Sequence, residues 1–532
     1  MMRASNFYAG LVLATVSGCL WFLACAPFDL AALAWFAAVP MLIAVDRAPT
    51  YGRALFLGWW AGVVETGGGF YWLIDLAHRF AGFSWIAAAL VFFAFCASRA
   101  LIFLLFTAVA RAIRTRLRVP FALLAPPLMV ACELAVPQVF PCGQWISQAW
   151  QPLVIQIAEL TGPWGVTALL MAVNGALVDL IDDGPRAARW PLIGAAAALA
   201  ASLIFGAVRM RQVDDALTHA EWLKIGLVQP NIAYSADGEL SAEEAVRELT
   251  ALQEQSRRLQ KLGADLVVWS EGSYPVTLPR DMTADFTEDS PAMIRRGISI
   301  PLVIGASTYD TEHDQAFNSA MLFETNGNIG GRYDKVRLLA FGEYLPGIEY
   351  FPWLRKLLPV GAGQFTAGAG PSLLSMHAPT GTPWALGPVI CYEDILPGYL
   401  RRVGALHPNL LVNLTSDSWF GAGSEPWEHL ALSVYASVEL RVAMVRAVNS
   451  GVSVLIDPNG RLLAKTYADD PYRHPRGADG VLVTAPRMPG VDTVYVRFGY
   501  VFPSLCFASI GLMSVLAWRK NAGSRSRAPA SA

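Results

Sequence analysis

Charge is what this sequence is short of. Asp, Glu, Lys and Arg make up 15% of its 532 residues, against roughly a quarter in an ordinary soluble domain. The net charge of -2 leaves no global basic field for a polyanion, so no nucleic-acid partner is expected. A disulfide framework is missing too. The cysteines number seven, an odd count without regular spacing. Metal-ligand spacing is absent among His219, His313, His377, His407, His429 and His474, so no metal is expected. No Gly-rich phosphate loop sits between a strand and a helix, and no cofactor is expected. Repeated halves and paired broken helices, the marks of a transporter, are not visible. A receptor or transporter with a ligand-binding outer domain stays a rival reading.

What is there is apolar: 54% of residues are hydrophobic and mean hydropathy is +0.41. A helix needs about 20 apolar residues to cross a bilayer. Such runs lie near 7–25, 30–45, 54–76, 84–109, 119–137, 154–181 and 191–208, and a last one near 498–518. Alternate loops are basic. One set holds Arg3, Arg47, Arg53, Arg111, Arg114, Arg116, Arg118, Arg186, Arg189, Arg519 and Lys520, whereas the other holds Arg79, Arg209 and Arg211. The positive-inside rule places the first set in the cytoplasm, and seven crossings then deliver residue 212 to the outside. Val16-Ser17-Gly18-Cys19 also permits a cleaved lipoprotein signal, but the apolar run continues past it, which favours an uncleaved helix. Glu65 and Glu133 fall inside apolar runs, where carboxylates face a cavity or a partner. Gly67-Gly68-Gly69 suits close helix approach.

Between 212 and 495 the pattern changes to short apolar segments. Those at 223–229, 265–269, 302–306, 389–392, 410–414 and 452–456 read as buried strands. The stretches 241–263 and 428–449 read as helices, the first opening on the capping-box spacing Ser241…Glu244. Strands alternating with helices suggest an α/β layered domain. The expected division is a seven-helix membrane region over 1–211, a catalytic domain over 212–495, an eighth membrane helix over 496–520 and a disordered tail over 521–532.

Three polar residues follow apolar strand patterns or lie beside them: Glu271 after Leu266–Ser270, Lys335 in Tyr333-Asp334-Lys335, and Cys391 after Val389-Ile390. Singly, each reads as a loop charge or a core cysteine. Together they form a set for acyl transfer through a thioester. A carboxylate takes the thiol proton, a lysine holds the oxyanion, and the sulfur attacks.

Trp269-Ser270-Glu271, Tyr333-Asp334-Lys335 and Ile390-Cys391-Tyr392-Glu393 resemble the Glu-Lys-Cys motifs of the nitrilase superfamily. With Phe341-Gly342-Glu343-Tyr344-Leu345-Pro346, Ser416-Asp417-Ser418-Trp419-Phe420-Gly421 and the upstream Phe140-Pro141…Gln144-Trp145…Ser147-Gln148, the chain is similar to the apolipoprotein N-acyltransferase family. That resemblance implies an eight-helix membrane bundle. It also implies an αββα sandwich inserted before the last helix, on the periplasmic side of a bacterial inner membrane. It implies a phospholipid acyl donor, an sn-1 acyl chain carried on Cys391, and the α-amine of a diacylated lipoprotein as acceptor, with a monomeric enzyme among membrane lipids. Glu271 becomes the general base and Lys335, with the Tyr392 backbone N–H, the oxyanion partner. Glu343, Tyr392 and Glu393 match supporting residues. Trp419 and Phe420 suit a lid. Phe351 and Trp353, with Phe341, Tyr350, Leu354, Leu357 and Leu358, suit lipid contact or ordinary packing under long loops. Two features depart from the family: Gly272-Ser273-Tyr274 follows the catalytic Glu, and the stretch after the first strand carries Tyr234 in place of a Trp. The same triad also serves a membrane-tethered amidohydrolase acting on a small amide, and the triad alone does not separate the two.

Overall fold

The computed structural model describes residues 7–79, 81–232, 240–347, 350–351, 353, 365–420, 423–466 and 480–525, the last five as backbone only. Tyr234, Leu354, Leu357, Leu358, Gly421 and His474 lie outside the described residues. The chain forms two compact units: 1–74, 85–209 and 498–532 in one, 75–84 and 210–497 in the other.

The first unit is helical. Among the described residues, the helices long and apolar enough to cross a membrane are Trp85–Leu117, Trp164–Ala187, Arg189–Thr218 and Val501–Lys520, and Phe7–Leu23 and Phe121–Ala135 are shorter apolar helices. The run expected at 30–45 is not one helix. It divides into a 3-10 turn, Ala31–Trp35, and a helix, Val39–Asp46, with Pro40 in its first turn. A proline there has no N–H to continue an earlier helix. The run at 154–181 is likewise interrupted, at Gly162 (φ 64°) and Pro163, before the helix starts at Trp164. Of the three consecutive glycines, Gly68 has the packing role: a Cβ there would lie 2.2 Å from the Phe22 ring, whereas Gly67 and Gly69 face open space.

Glu133 accepts from the Gln144 backbone N–H at 2.9 Å and from Thr167 Oγ1 at 3.2 Å, and Gln144 Nε2 donates to Glu65 at 3.1 Å. Both carboxylates expected inside apolar runs are therefore tied to the 138–148 loop. Arg99 holds the same loop through the Cys142 carbonyl at 2.6 Å.

The second unit is built on two sheets. One contains β1 (Trp222–Leu227), β2 (Leu266–Val268), β3 (Leu278–Pro279), β4 (Leu302–Asp310), β5 (Gln315–Phe323) and β6 (Ile329–Asp334). The other contains β7 (Leu374–His377), β8 (Pro383–Ile390), β9 (Leu410–Thr415), β10 (Met444–Val448), β11 (Val454–Ile456) and β12 (Leu462–Lys465). The last strand, β13 (Val481–Pro486), returns to the first sheet, giving the orders β13-β1-β2-β4-β5-β6, with β3 on β4, and β12-β11-β10-β9-β8-β7. Each sheet has a parallel centre, β1-β2-β4 and β8-β9-β10, flanked by antiparallel strands, with the short β3 added parallel to the end of β4. Buried on both faces, these central strands carry continuous apolar runs such as Leu410–Val412.

The helix Ala242–Lys261 has the expected reciprocal cap, Glu244 N–H to Ser241 Oγ at 3.2 Å and Ser241 N–H to Glu244 at 3.0 Å. Leu249, Leu252 and Leu259 bury against Val267, Trp269 and Ile304 of the first sheet, and Trp269 Nε1 donates to Ser256 Oγ at 2.8 Å.

The helix expected over 428–449 is corrected. It spans Glu425–Leu440, ends at Arg441 in the left-handed region (φ 53°), and gives way to β10. Val442–Val448 is apolar except for Arg446, and such a run is helix or buried strand with equal ease until its neighbours decide.

Candidate active site

Glu271, Lys335 and Cys391 all lie just past the carboxyl ends of strands: β2, β6 and β8 respectively. Crevices at strand carboxyl ends are where open α/β sheets bind ligands. Each side chain is delivered by a local break. β2 stops at Val268, and Trp269 N–H still pairs with the Val303 carbonyl at 2.8 Å before the chain turns through Gly272 (φ 57°). Gly305 of β4 passes beneath: a Cβ there would lie 2.3 Å from the Ser270 carbonyl and 2.7 Å from Glu271 Cα. Only glycine lets the strand approach Glu271 so closely. Cys391 itself has φ 49°, a left-handed conformation costing a side chain of this kind about 1–3 kcal/mol. A 3-10 turn, Cys391–Ile395, follows it.

Glu393 holds that turn. One carboxylate oxygen accepts from Ile390 N–H at 2.9 Å and Tyr333 O–H at 2.6 Å. The other accepts from Val336 N–H at 2.8 Å and Arg337 N–H at 2.9 Å. A single buried carboxylate thus ties the cysteine turn to the segment just after Lys335. Burial pushes Glu393 up to about 7, against the pull of these donors and of Lys335.

Lys335 is buried, and its Nζ donates to Glu343 at 2.9 Å and Glu271 at 3.2 Å. Asn318 of β5 bridges the same two carboxylates, its Nδ2 lying 2.8 Å from Glu271 and 3.0 Å from Glu343. The other oxygen of Glu271 accepts from Ser416 N–H at 3.1 Å, and that of Glu343 from Leu339 N–H at 2.8 Å. Burial works against the Lys335 charge, but Glu271, Glu343 and the Cys391 sulfur outweigh it and hold the ammonium well above its usual range. Glu271 is raised, by burial first and by Glu343, with Lys335 opposing. Cys391, half-buried, is raised well above an ordinary thiol by burial and by Glu271, Glu343 and Asp417, with Lys335 again opposing. Burial also pushes Tyr392 up to about 12.

The aromatic candidates divide. Phe420 is buried and Trp419 half-buried, whereas Phe351 and Trp353 are 54% and 60% exposed, their rings 6.5 Å apart.

Sequence reasoning missed Asn318, which sits beside Ser319 in the middle of β5. It also missed a second polar layer behind the cysteine turn. His429 lies between Asp394 at 2.9 Å and Asp417 at 3.1 Å, with Glu425 at 3.7 Å. Asp394 also accepts from Ser433 Oγ at 2.8 Å and pairs with Arg446. Among the described residues, Asp417, Glu425 and His429 form the one group close enough to hold a metal ion. Both ring nitrogens of His429 are already committed to carboxylates, so the ring acts there as a double donor. The Ser416-Asp417 motif was the available signal, but its partner lies on a helix that sequence alone could not place.

Two family models match the chain: Apolipoprotein N-acyltransferase N-terminal domain over residues 17–176 and Carbon-nitrogen hydrolase over residues 224–470. An apolipoprotein N-acyltransferase of Bradyrhizobium diazoefficiens is 32% identical over 71% of this chain and 69% of its own. Those of Geobacter metallireducens, 28% identical over 96% of this chain and 95% of its own, and Rhodopseudomonas palustris, 29% identical over 96% of both, match nearly end to end. Among solved structures, an amidase from Nesterenkonia sp. is 19% identical, covers 52% of this chain and 92% of its own, and has a TM-score of 0.33.

Proposed function

The chain belongs to the apolipoprotein N-acyltransferase family, and from that premise we propose how its own residues carry the reaction. In the first step Glu271 takes the Cys391 proton as the sulfur attacks the sn-1 ester carbonyl of a phospholipid. The S–C bond forms, and Lys335 faces the tetrahedral oxyanion. Collapse breaks the ester C–O bond, and Glu271 returns the proton to the departing lysophospholipid oxygen. In the second step the α-amine of a diacylglyceryl-modified cysteine attacks the thioester. Glu271 accepts the amine proton, the amide C–N bond forms, and the sulfur leaves to be reprotonated. Glu343 and Asn318 hold Lys335 and Glu271 in place, and Glu393 sets the cysteine turn.

The observation that carries this reading is the convergence of Glu271 and Lys335, 3.2 Å apart, with the Cys391 sulfur that both influence. Donor and acceptor are both lipids. Drawing an acyl chain into water costs about 0.8 kcal/mol per CH₂, which favours a catalytic domain joined to membrane helices. We assign 1–211 and 496–520 to the membrane, with eight crossings. The domain over 212–495 stands on the periplasmic face of the inner membrane, a placement that rests on the basic-loop asymmetry. The exposed Phe351 and Trp353 suit lipid contact.

The test is mass spectrometry of the purified protein with phospholipid and a diacylated lipopeptide. An acyl adduct on Cys391, mass gain on the peptide, and loss of both in Cys391→Ala are expected. Undiminished transfer by Cys391→Ala would sink the assignment, and ammonia released from small amides without peptide acylation would establish the amidohydrolase reading instead.

A further inference from the structure

The polar layer behind the cysteine turn takes no part in the steps above, yet it joins both segments that shape the site. Asp394 belongs to the turn that begins at Cys391, three residues from the sulfur. Asp417 opens the segment Asp417–Phe420, directly after Ser416, whose N–H donates to the base Glu271. These two carboxylates come from the ends of neighbouring strands, β8 and β9, and do not touch the same catalytic group. His429, from the helix Glu425–Leu440, reaches both, Nε2 to Asp394 at 2.9 Å and Nδ1 to Asp417 at 3.1 Å.

With a carboxylate at each nitrogen, both must donate, and an imidazole that donates twice is protonated. Three carboxyl groups and one guanidinium surround it. Asp394 comes from the cysteine turn, Asp417 from the following segment, Glu425 from the ring's own helix, and Arg446 from β10 on the far side of Asp394. Burial and Arg446 oppose the charge, but Asp394 and Asp417 outweigh them and hold His429 up to about 10. Burial and the Asp417 charge drive Glu425 well above the carboxylate range. The same Asp417 charge bears on the Cys391 sulfur, alongside Glu271, Glu343 and Lys335.

We infer that His429 is a positioning residue: its imidazolium clamps the Cys391 turn to the Ser416–Phe420 segment and offsets the Asp417 carboxylate. This deepens the proposed mechanism and rests on Cys391 being its nucleophile. A ring that served packing alone would not couple to the thiol's ionisation. A charged clamp must.

The experiment follows the rate of Cys391 alkylation by iodoacetamide against pH. It uses the full-length protein in detergent, with the labelled peptide identified by mass spectrometry. His429→Gln leaves Asp417 without its counter-charge and moves the midpoint to higher pH, by about one unit, a roughly tenfold smaller thiolate fraction below the midpoint. Asp417→Asn is nearly isosteric, keeps an acceptor for Nδ1, and moves the midpoint to lower pH. The double variant returns close to the native midpoint. Unshifted midpoints in both single variants would overturn the clamp while leaving the nucleophile intact. So would a stoichiometric divalent metal that is lost with Asp417→Asn, because a metal-bound ring cannot be the imidazolium. If native Cys391 is not labelled at any pH, the nucleophile assignment itself falls, and the clamp with it.

Discussion

Replacing Glu393 by glutamine tests the organisation of the site most directly, because the side chain touches no substrate in the proposed mechanism. Glutamine brings one NH₂ group. Turned toward Val336 and Arg337, it would oppose two backbone N–H donors. Turned the other way, it opposes Ile390 N–H and a Tyr333 hydroxyl that can rotate to accept. The second orientation costs less and should be adopted. It strands one buried N–H, at about 1–3 kcal/mol, and weakens the remaining bonds from charge-assisted to neutral, about 1 kcal/mol each. Removing a charge that burial already disfavours returns part of this, leaving a loss of about 2–4 kcal/mol. That is a large share of a typical stability of about 5–15 kcal/mol.

The catalytic consequence is larger than the stability loss suggests. The tethers that weaken are those fixing the Cys391 turn relative to the segment after Lys335, and a misplacement of about 1 Å can cost roughly 100-fold in rate. Acyl transfer from phospholipid to a diacylated lipopeptide, read by mass spectrometry, should fall by about that factor in Glu393→Gln. Thermal unfolding in detergent should shift downward as well. A rate within about threefold of native, less than ~1 kcal/mol of barrier, would refute the claim that this carboxylate sets the catalytic geometry.

Gly305→Ala places a methyl 2.3 Å from the Ser270 carbonyl, so the Glu271 backbone must move. Transfer should drop by about 100-fold while the protein still folds, and a native rate would contradict the close approach. Arg446→Met removes one of two cations on buried Asp394, His429 being the other, and the unfolding transition should register a loss of about 2–3 kcal/mol; an unchanged transition would remove the ion pair from the stability argument. Asn318→Asp adds a third carboxylate beside Glu271 and Glu343. It should slow Cys391 alkylation at a fixed pH by about tenfold, whereas Asn318→Leu, which adds no charge, should slow it less. Equal effects from the two would indicate a packing role.

The triad was legible because each member follows or adjoins a strand pattern and is flanked by a distinctive neighbour, as in Trp269-Ser270-Glu271 and Ile390-Cys391-Tyr392-Glu393. The capping box at Ser241 was legible for a related reason: its two hydrogen bonds join residues three apart. The helix over 428–449 was misread because Val442–Val448 has no period that separates a helix from a strand buried on both faces. What made it a strand was pairing with β9 on one side and β11 on the other. The apolar run at 30–45 was read by composition, and a proline in the first turn of Val39–Asp46 cut it into short pieces.

Local order in the chain was enough to determine the apolar character, the α/β pattern and the three residues proposed to react, since each depends on neighbours within a few residues. Charge states and supporting contacts were decided elsewhere. Asn318 bridges Glu271 and Glu343 across 47 and 25 residues, Glu393 reaches back 57 to Val336, and His429 spans 35 to Asp394. Hydrogen bonds and ionisation respond to distance in space and to burial, and neither quantity exists until the two sheets have folded.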